Sequence, residues 1–325
     1  MANAKPEFFM PTEGPLVPFH GDVPPAPDWF TRAVAIEPES SFVEVEGASI
    51  HYLRWGDRAK PGLLLVHGNA AHAYWWSFIA PYLARDYNVA AIDMSGMGDS
   101  DWRKSYSVEL FAREQLAVCE AAGMFSPHEP PVIVAHSFGG FITMFTGAVY
   151  GDRLAGTVIV DSPVNPPGRP GGPPKREFKP HHVYPDMASA LARFRLMPPQ
   201  GCDNLFIVDW VGRRSLKTVP GGFTWKFDPR IWQDFTIGDT AARLKETKCR
   251  IAIFRGENSV LMPPEIGEYM FNLLGRAAPM VTIPEARHHV MLDQPLALVA
   301  ALNALLADWD HSTPTRRLPP GGELL

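Results

Sequence analysis

Short segments rich in Val, Ile and Leu recur along the chain, and turn residues flank each of them. Segments of this kind are typical of β-strands. The first two alternate apolar with polar positions and are joined by Glu46-Gly47, which predicts an antiparallel hairpin. The later ones are apolar nearly throughout, as in strands covered on both faces. The predicted strands are 41–46, 50–55, 62–66, 88–92, 131–135, 156–160, 250–254 and 279–283.

Segments with helical periodicity lie between these predicted strands. Strand and helix alternate regularly, and this alternation is typical of a mostly parallel, doubly wound sheet with helices on both faces. The sequence therefore predicts an α/β fold. Its predicted helices are 74–85, 107–122, 138–150, 264–275 and 295–309.

The alternation is interrupted between Asp161 and Cys249, where no segment has a convincing strand pattern. This stretch has helical patterns at 186–197 and 203–216 and a Gly/Pro turn at 220–222. Inserted at the carboxyl edge of a parallel sheet, it would cover the crevice where such sheets bind ligands, so we expect a helical cap. The predicted division is a proline-rich arm (1–41), a core (42–163 and 248–310), the cap (164–247) and a C-terminal tail (311–325).

Composition excludes several classes of protein. The 325 residues include 30 Lys and Arg against 35 Asp and Glu, and a net charge of −5 argues against a nucleic-acid partner. No apolar run is long enough to span a membrane, and the N-terminal residues lack a secretion-signal pattern. The three cysteines are widely separated, which argues against a disulfide framework or a zinc site and favours a cytoplasmic location.

The strongest local motif is an apolar strand that runs into His136-Ser-Phe-Gly-Gly140 and is followed at once by a helix. Such a corner exposes the hydroxyl of Ser137 at the carboxyl edge of the sheet, beside the backbone N–H groups that begin the helix. The usual pattern is G-x-S-x-G, and Ala135 replaces its first glycine with another small residue. Ser137 is therefore a candidate nucleophile, and the alternative is an ordinary helix N-cap.

Further motifs point to the same edge of the sheet. An apolar strand ends in His67-Gly-Asn69, and the N–H groups of Asn69 and Phe138 are the candidate donors of an oxyanion hole. The turn 93–100 follows the next strand. The loop 284–295 follows the last strand and contains His288 and His289. Either histidine could be the general base that lies over the nucleophile.

With these motifs in this order, the chain resembles the α/β-hydrolase superfamily over roughly residues 42–163 and 248–308. The resemblance implies a catalytic triad in the chain order Ser, acid, His, with Ser137 as the nucleophile. In similar proteins the catalytic histidine precedes the proline of the last helix by seven residues. His288 has this spacing to Pro295, which favours it over His289.

The acid does not follow the common pattern. Members of the superfamily usually carry an aspartate after the seventh strand, where this chain has Ser259. The stretch resembles that of haloalkane dehalogenases whose acid lies at the end of the sixth strand, which implies Asp161, with Glu257 as the alternative. Those enzymes, like epoxide hydrolases, use an aspartate nucleophile, so Ser137 argues against carbon–halogen cleavage.

The aromatic residues near these motifs predict an apolar pocket. Trp75 and Trp76 follow the oxyanion loop, Trp210 lies in the predicted cap, and Val260 and Leu261 lie beside the acid loop. We expect a serine esterase that acts on small to medium apolar esters, without metal or organic cofactor. A lactonase, a carbon–carbon bond hydrolase and a ligand receptor with little turnover are the alternatives, and homodimerisation through the N-terminal arm is a further expectation.

Overall fold

The computed structural model describes residues 13–125, 130–168, 180–233 and 235–312. Residues 1–12 of the predicted arm, part of the proline-rich stretch of the predicted cap and nearly all of the predicted tail lie outside this range. No helix among the described residues has both the length and the apolar character that crossing a membrane requires. The cytoplasmic location stays a prediction.

An eight-stranded sheet forms the centre of the molecule, with the strand order β1-β2-β4-β3-β5-β6-β9-β10. β1 and β4 both pair antiparallel with β2, and the remaining neighbours are parallel. Each predicted strand of the sheet is present, with ends shifted by at most a few residues. The strands of the sheet are β1 (Glu39–Val45), β2 (Ala48–Trp55), β3 (Gly62–Val66), β4 (Asn88–Ile92), β5 (Val132–His136), β6 (Gly156–Val160), β9 (Arg250–Gly256) and β10 (Met280–Ile283).

Helices cover both faces of this sheet, and the central strands β3, β4, β5 and β6 are buried along their whole length. Burial on both faces explains why these strands are apolar throughout. The helices are α1 (Asp28–Val34), α2 (Ala80–Leu83), α3 (Val108–Ala121), α4 (Phe138–Tyr150), α5 (Met187–Leu191), α6 (Leu205–Arg214), α7 (Thr240–Lys245), α8 (Pro264–Leu273), α9 (Val290–Asp293) and α10 (Pro295–His311).

The insertion between β6 and β9 differs from the purely helical segment that the sequence predicts. It contains a hairpin of β7 (Leu216–Val219) and β8 (Gly222–Trp225) in addition to helices α5, α6 and α7. The expectation that this stretch has no strand was wrong, because both strands are short and half-exposed and so lack an apolar run. The predicted helix 74–85 was also too long: a 3₁₀ turn, Ala73–Trp75, precedes the short α2, which has a proline in its first turn.

The described part of the N-terminal arm packs against its own chain. Phe30 of α1 lies 4.9 Å from Phe206 and 5.7 Å from Trp210, measured between ring centroids, and both partners belong to α6 of the insertion. The Tyr82 hydroxyl donates to the Trp29 carbonyl at 2.8 Å, which ties the arm to the core as well. Dimerisation through residues 1–41 stays a prediction.

Candidate active site

Ser137 lies at the sharp corner between β5 and α4, and its backbone has a φ of 53°. A positive φ is costly for a residue with a Cβ and recurs at functional turns. The chain can turn so tightly because its neighbours are small: a Cβ on Gly139 would lie 2.5 Å from the His67 carbonyl oxygen. A Cβ on Gly68 would likewise lie 3.2 Å from Cβ of Ser137. The His67-Gly-Asn69 loop therefore passes directly beside the nucleophile candidate.

The structure brings Ser137, His288 and Asp161 into one chain of hydrogen bonds. The Ser137 Oγ donates to His288 Nε2 at 2.9 Å, and His288 Nδ1 donates to Asp161 Oδ1 at 2.8 Å. The carboxylate can only accept, so it selects the tautomer of His288 that has its proton on Nδ1 and a free lone pair on Nε2. His288 and Asp161 are almost completely buried, and Ser137 is partly exposed.

Asp161 occupies the end of β6 and is held by three donors. Besides His288, its carboxylate accepts from the Ser259 hydroxyl at 2.6 Å and from the Gly256 N–H at 2.8 Å. Ser259, which stands where the superfamily usually has its acid, thus hydrogen-bonds to the aspartate on the neighbouring strand. The sequence has no acid at position 259, but no local pattern in it indicates the hydrogen bond between Ser259 and Asp161.

The alternative acid and the alternative base lie elsewhere. Glu257 is exposed, and its carboxylate accepts from the Glu285 N–H at 2.9 Å. His289 is buried beside Trp75, with ring centroids 5.3 Å apart, and neither of its ring nitrogens has a hydrogen-bond partner among the described residues. Burial and the neighbouring ring of His288 hold the pKa of His289 well below its usual range, so it stays neutral.

Two other histidines support the loops around the site. His136 Nε2 donates to the His288 carbonyl at 2.9 Å, and His67 Nε2 accepts from the Met94 N–H at 3.1 Å. Burial lowers the pKa of both, that of His136 well below its usual range, so both rings are neutral hydrogen-bonding groups. His136 thus ties the segment of Ser137 to that of His288, and His67 ties its loop to the turn that follows β4.

The two candidate oxyanion residues differ in exposure. Phe138 is the first residue of α4 and is buried, whereas the side chain of Asn69 is exposed. The Asn69 Oδ1 accepts from the indole N–H of Trp232 at 3.0 Å, and the ring of Trp232 lies 5.2 Å from that of Phe138. Trp232 belongs to the insertion, and no motif in the sequence singled it out.

The residues expected to contact substrate have different environments. Trp76 is fully buried and Trp75 is 6% exposed, and the ring of Trp75 contacts that of His289. Trp210 is half-buried, and its indole N–H donates to the Ser77 hydroxyl at 2.9 Å. Val260 is 47% exposed and Leu261 is half-buried. Their contact with a substrate stays a prediction.

Two clusters of described side chains have potential metal ligands within 4.8 Å of one another. The first cluster is His136, His288 and His289, and both ring nitrogens of His288 already make hydrogen bonds, to Ser137 and to Asp161. In the second cluster, His51 Nδ1 donates to Asp93 at 2.8 Å, and Asp93 also accepts from backbone N–H groups. A metal ion in either cluster would have to displace these hydrogen bonds.

Known proteins that are similar to this chain include several hydrolases. The model of the alpha/beta hydrolase family matches residues 63–302. Epoxide hydrolase 4 of Mus musculus is 25% identical over 124 residues, which are 37% of this chain and 33% of that protein. Lipase LipV of Mycobacterium tuberculosis is 30% identical over 115 residues, which are 35% of this chain and 42% of that protein. The matches thus span less than half the length of these two relatives.

The solved structure of a thioesterase domain from the curacin biosynthetic pathway superposes with a TM-score of 0.68 at 22% identity. The superposition covers 82% of this chain and 99% of that domain, and at this identity it establishes the shared fold alone. The family match extends from β3 into α10 and includes every residue of the Ser137, His288 and Asp161 arrangement. This chain therefore belongs to the alpha/beta hydrolase family.

Proposed function

We propose that this protein is a serine hydrolase that cleaves carboxylic esters of small to medium apolar substrates through an acyl-enzyme. The observation that carries the proposal is the chain of hydrogen bonds from Ser137 through His288 to Asp161. A serine hydroxyl is a weak nucleophile by itself, and an adjacent base oriented by a carboxylate is what activates it.

These hydrogen bonds support a distinct role for each group in the proposed reaction. The Ser137 Oγ attacks the ester carbonyl while His288 Nε2 takes its proton. The resulting imidazolium then gives that proton to the leaving alcohol as the carbon–oxygen bond breaks, and Ser137 is left acylated. In the second half, His288 Nε2 takes a proton from water, whose oxygen attacks the acyl carbon. His288 then gives that proton to Ser137 Oγ as the bond between the acyl carbon and Oγ breaks, which releases the acid and restores Ser137. Asp161 holds the ring in the accepting tautomer and stabilises its cationic form.

The negative charge that develops on the carbonyl oxygen needs donors beside Ser137. We propose the backbone N–H groups of Asn69 and Phe138 for this role. Phe138 begins α4, a helix of 13 residues, so its N–H is among those that have no acceptor within the helix. The close passage of the 67–69 loop beside Ser137 supports Asn69 as the second donor.

Ester cleavage is the proposed reaction because the nucleophile is a serine. Relatives include an epoxide hydrolase and a lipase, and these two reactions need different chemistry. Opening an epoxide through a covalent ester requires a carboxylate nucleophile, which Ser137 cannot supply. The rings of Trp232 and Phe235 pack on Phe138, the residue that follows Ser137, and such an apolar cluster favours an acyl group of modest size over a sugar or a peptide.

A series of p-nitrophenyl esters from acetate to palmitate tests the proposal. We expect measurable turnover with a maximum below about eight carbons, and Ser137→Ala should lower kcat by about 10⁴-fold or more with an unchanged Tm. Ser312→Ala, an exposed serine at the end of α10, is the matched control and should keep wild-type activity. A fluorophosphonate should label the wild type and this control but not Ser137→Ala.

Two outcomes would contradict this function. Ser137→Ala activity above about a tenth of wild type would exclude the covalent mechanism. Absence of both ester turnover and fluorophosphonate labelling in the wild type would favour a ligand receptor of this fold. Parallel assays of lactones and of diketones decide between an esterase and the lactonase or carbon–carbon bond hydrolase, since all three use the same three side chains.

A further inference from the structure

One side chain of the insertion contacts both residues that are proposed to form the oxyanion hole. The indole N–H of Trp232 donates to Asn69 Oδ1 at 3.0 Å. Its ring meets that of Phe138 edge-to-face, with centroids 5.2 Å apart and planes at 71°. Asn69 follows β3 and Phe138 begins α4, so Trp232 links two separate elements of the core on the side where Ser137 lies.

The loop that carries Asn69 needs such a link. Asn69 itself is exposed, and Ala70 has a φ of 54°, a left-handed conformation that is strained for alanine. A Cβ on Gly68 would lie 3.2 Å from Cβ of Ser137, so the loop passes close to Ser137, and a small rotation of the loop would change where the Asn69 N–H points. A hydrogen bond to the exposed end of the loop restrains that rotation.

Trp232 is itself held firmly from the other side. Phe235 packs edge-to-face on it at 5.5 Å and also contacts Phe138 at 5.3 Å, so the three rings form one cluster. The preceding Ile231 is 2% exposed, and its N–H donates to the Asp228 carbonyl. The Asp228 carboxylate accepts in turn from the Tyr106 hydroxyl at 2.8 Å, which anchors this part of the insertion to the core.

We infer that Trp232 is a positioning residue of the oxyanion hole, through which the insertion sets the direction of the Asn69 N–H. This inference rests on the proposed function. The hydrogen bond to Asn69 orients a donor that acts on charge present only in the transition state. Its loss therefore lowers kcat and leaves KM nearly unchanged, whereas a role in binding the acyl group would raise KM.

Trp232→Phe tests the inference, because it removes the indole N–H and retains an aromatic ring against Phe138. We expect kcat for p-nitrophenyl butyrate to fall about fivefold, as expected for the loss of one neutral hydrogen bond, with KM changed less than twofold and Tm unchanged. The rate of fluorophosphonate labelling should fall by a similar factor. Trp102→Phe is the matched control: Trp102 is 39% exposed, contacts Lys217, and should give wild-type kinetics.

A double-mutant cycle with Asn69→Ala separates a direct effect from one that acts through Asn69. Once the Oδ1 acceptor is gone, Trp232→Phe should change kcat less than twofold. A wild-type kcat in Trp232→Phe, a rise in KM alone, or equal effects of Trp232→Phe in the two backgrounds would each overturn the inference. Failure of the proposed function is distinguishable, because the wild type would then show neither turnover nor labelling.

Discussion

The sharpest prediction from the site concerns the carboxylate of Asp161. Its Oδ1 accepts from His288 and from Ser259, and its Oδ2 accepts from the Gly256 N–H at 2.8 Å. The change Asp161→Asn keeps the shape of the side chain but replaces one of these acceptors with an NH₂ donor. Because Asp161 is fully buried, water cannot compensate for a mismatched group there.

The two orientations of the new amide have different consequences. With its oxygen towards His288, the NH₂ group faces the Gly256 N–H, and a buried backbone donor loses its acceptor at a cost of about 1–3 kcal/mol. With its oxygen towards Gly256, the NH₂ group faces His288 Nδ1, which must then accept. The second orientation is favoured, since Ser259 can rotate its hydroxyl, and it moves the His288 proton to Nε2.

A histidine protonated on Nε2 cannot accept the Ser137 proton. We therefore expect kcat of Asp161→Asn to fall about 10⁴-fold, or about 5 kcal/mol in activation free energy, with a nearly unchanged KM and a normal circular dichroism spectrum. Steady-state hydrolysis of p-nitrophenyl esters measures this loss. Glu257→Gln is the matched control and should stay within a few-fold of wild type, because Glu257 is exposed and its carboxylate accepts from the Glu285 N–H instead of from His288.

A second substitution tests the same reasoning in reverse. The Ser259 Oγ is 2.6 Å from Asp161 Oδ1, the oxygen that accepts from His288. A carboxylate at position 259 would therefore lie near His288 Nδ1. Ser259→Asp in the Asp161→Asn background should recover part of the lost activity. Near-full activity of Asp161→Asn, or an equal loss in Glu257→Gln, would refute the assignment of Asp161 as the acid.

The remaining predictions concern stability. Burial lowers the pKa of several histidines, that of His72 to about 3, so below pH about 6.5 the unfolded chain binds protons that the folded chain does not. The free energy of unfolding, measured with urea, should thus fall from pH 7.5 to 5.5, by up to about 1.4 kcal/mol per pH unit for each such histidine; a flat profile would contradict this. Burial raises the pKa of Glu114 and Asp293, which opposes the trend at lower pH. Gly139→Ala would place a Cβ 2.5 Å from the His67 carbonyl and should destabilise by about 1–3 kcal/mol, whereas Gly201→Ala meets no atom within 4 Å and should be tolerated.

Local patterns in the sequence were sufficient for the sheet and for two members of the candidate site. The central strands are buried on both faces, so every position in them favours an apolar residue, and the resulting apolar runs identify these strands in the sequence. Ser137 was recognisable because the tight turn restricts its neighbours to small residues, and His288 because its distance to Pro295 follows a family pattern. The hairpin β7–β8 has neither signal: its strands are short and half-exposed, and only its Gly/Pro turn was visible.

Other features depend on contacts between segments that are far apart in the chain. Asp161 and His288 are 127 positions apart, and only the pairing of β6 with β9 brings Asp161 within reach of Ser259 and Gly256. From the sequence, Asp161 was the favoured acid and Glu257 remained an alternative, because the residues around a carboxylate do not indicate which distant side chain it contacts in the fold. The contact between Trp232 and Asn69 left no trace in the sequence at all, since a hydrogen bond between side chains 163 positions apart imposes no periodicity and no spacing on the chain.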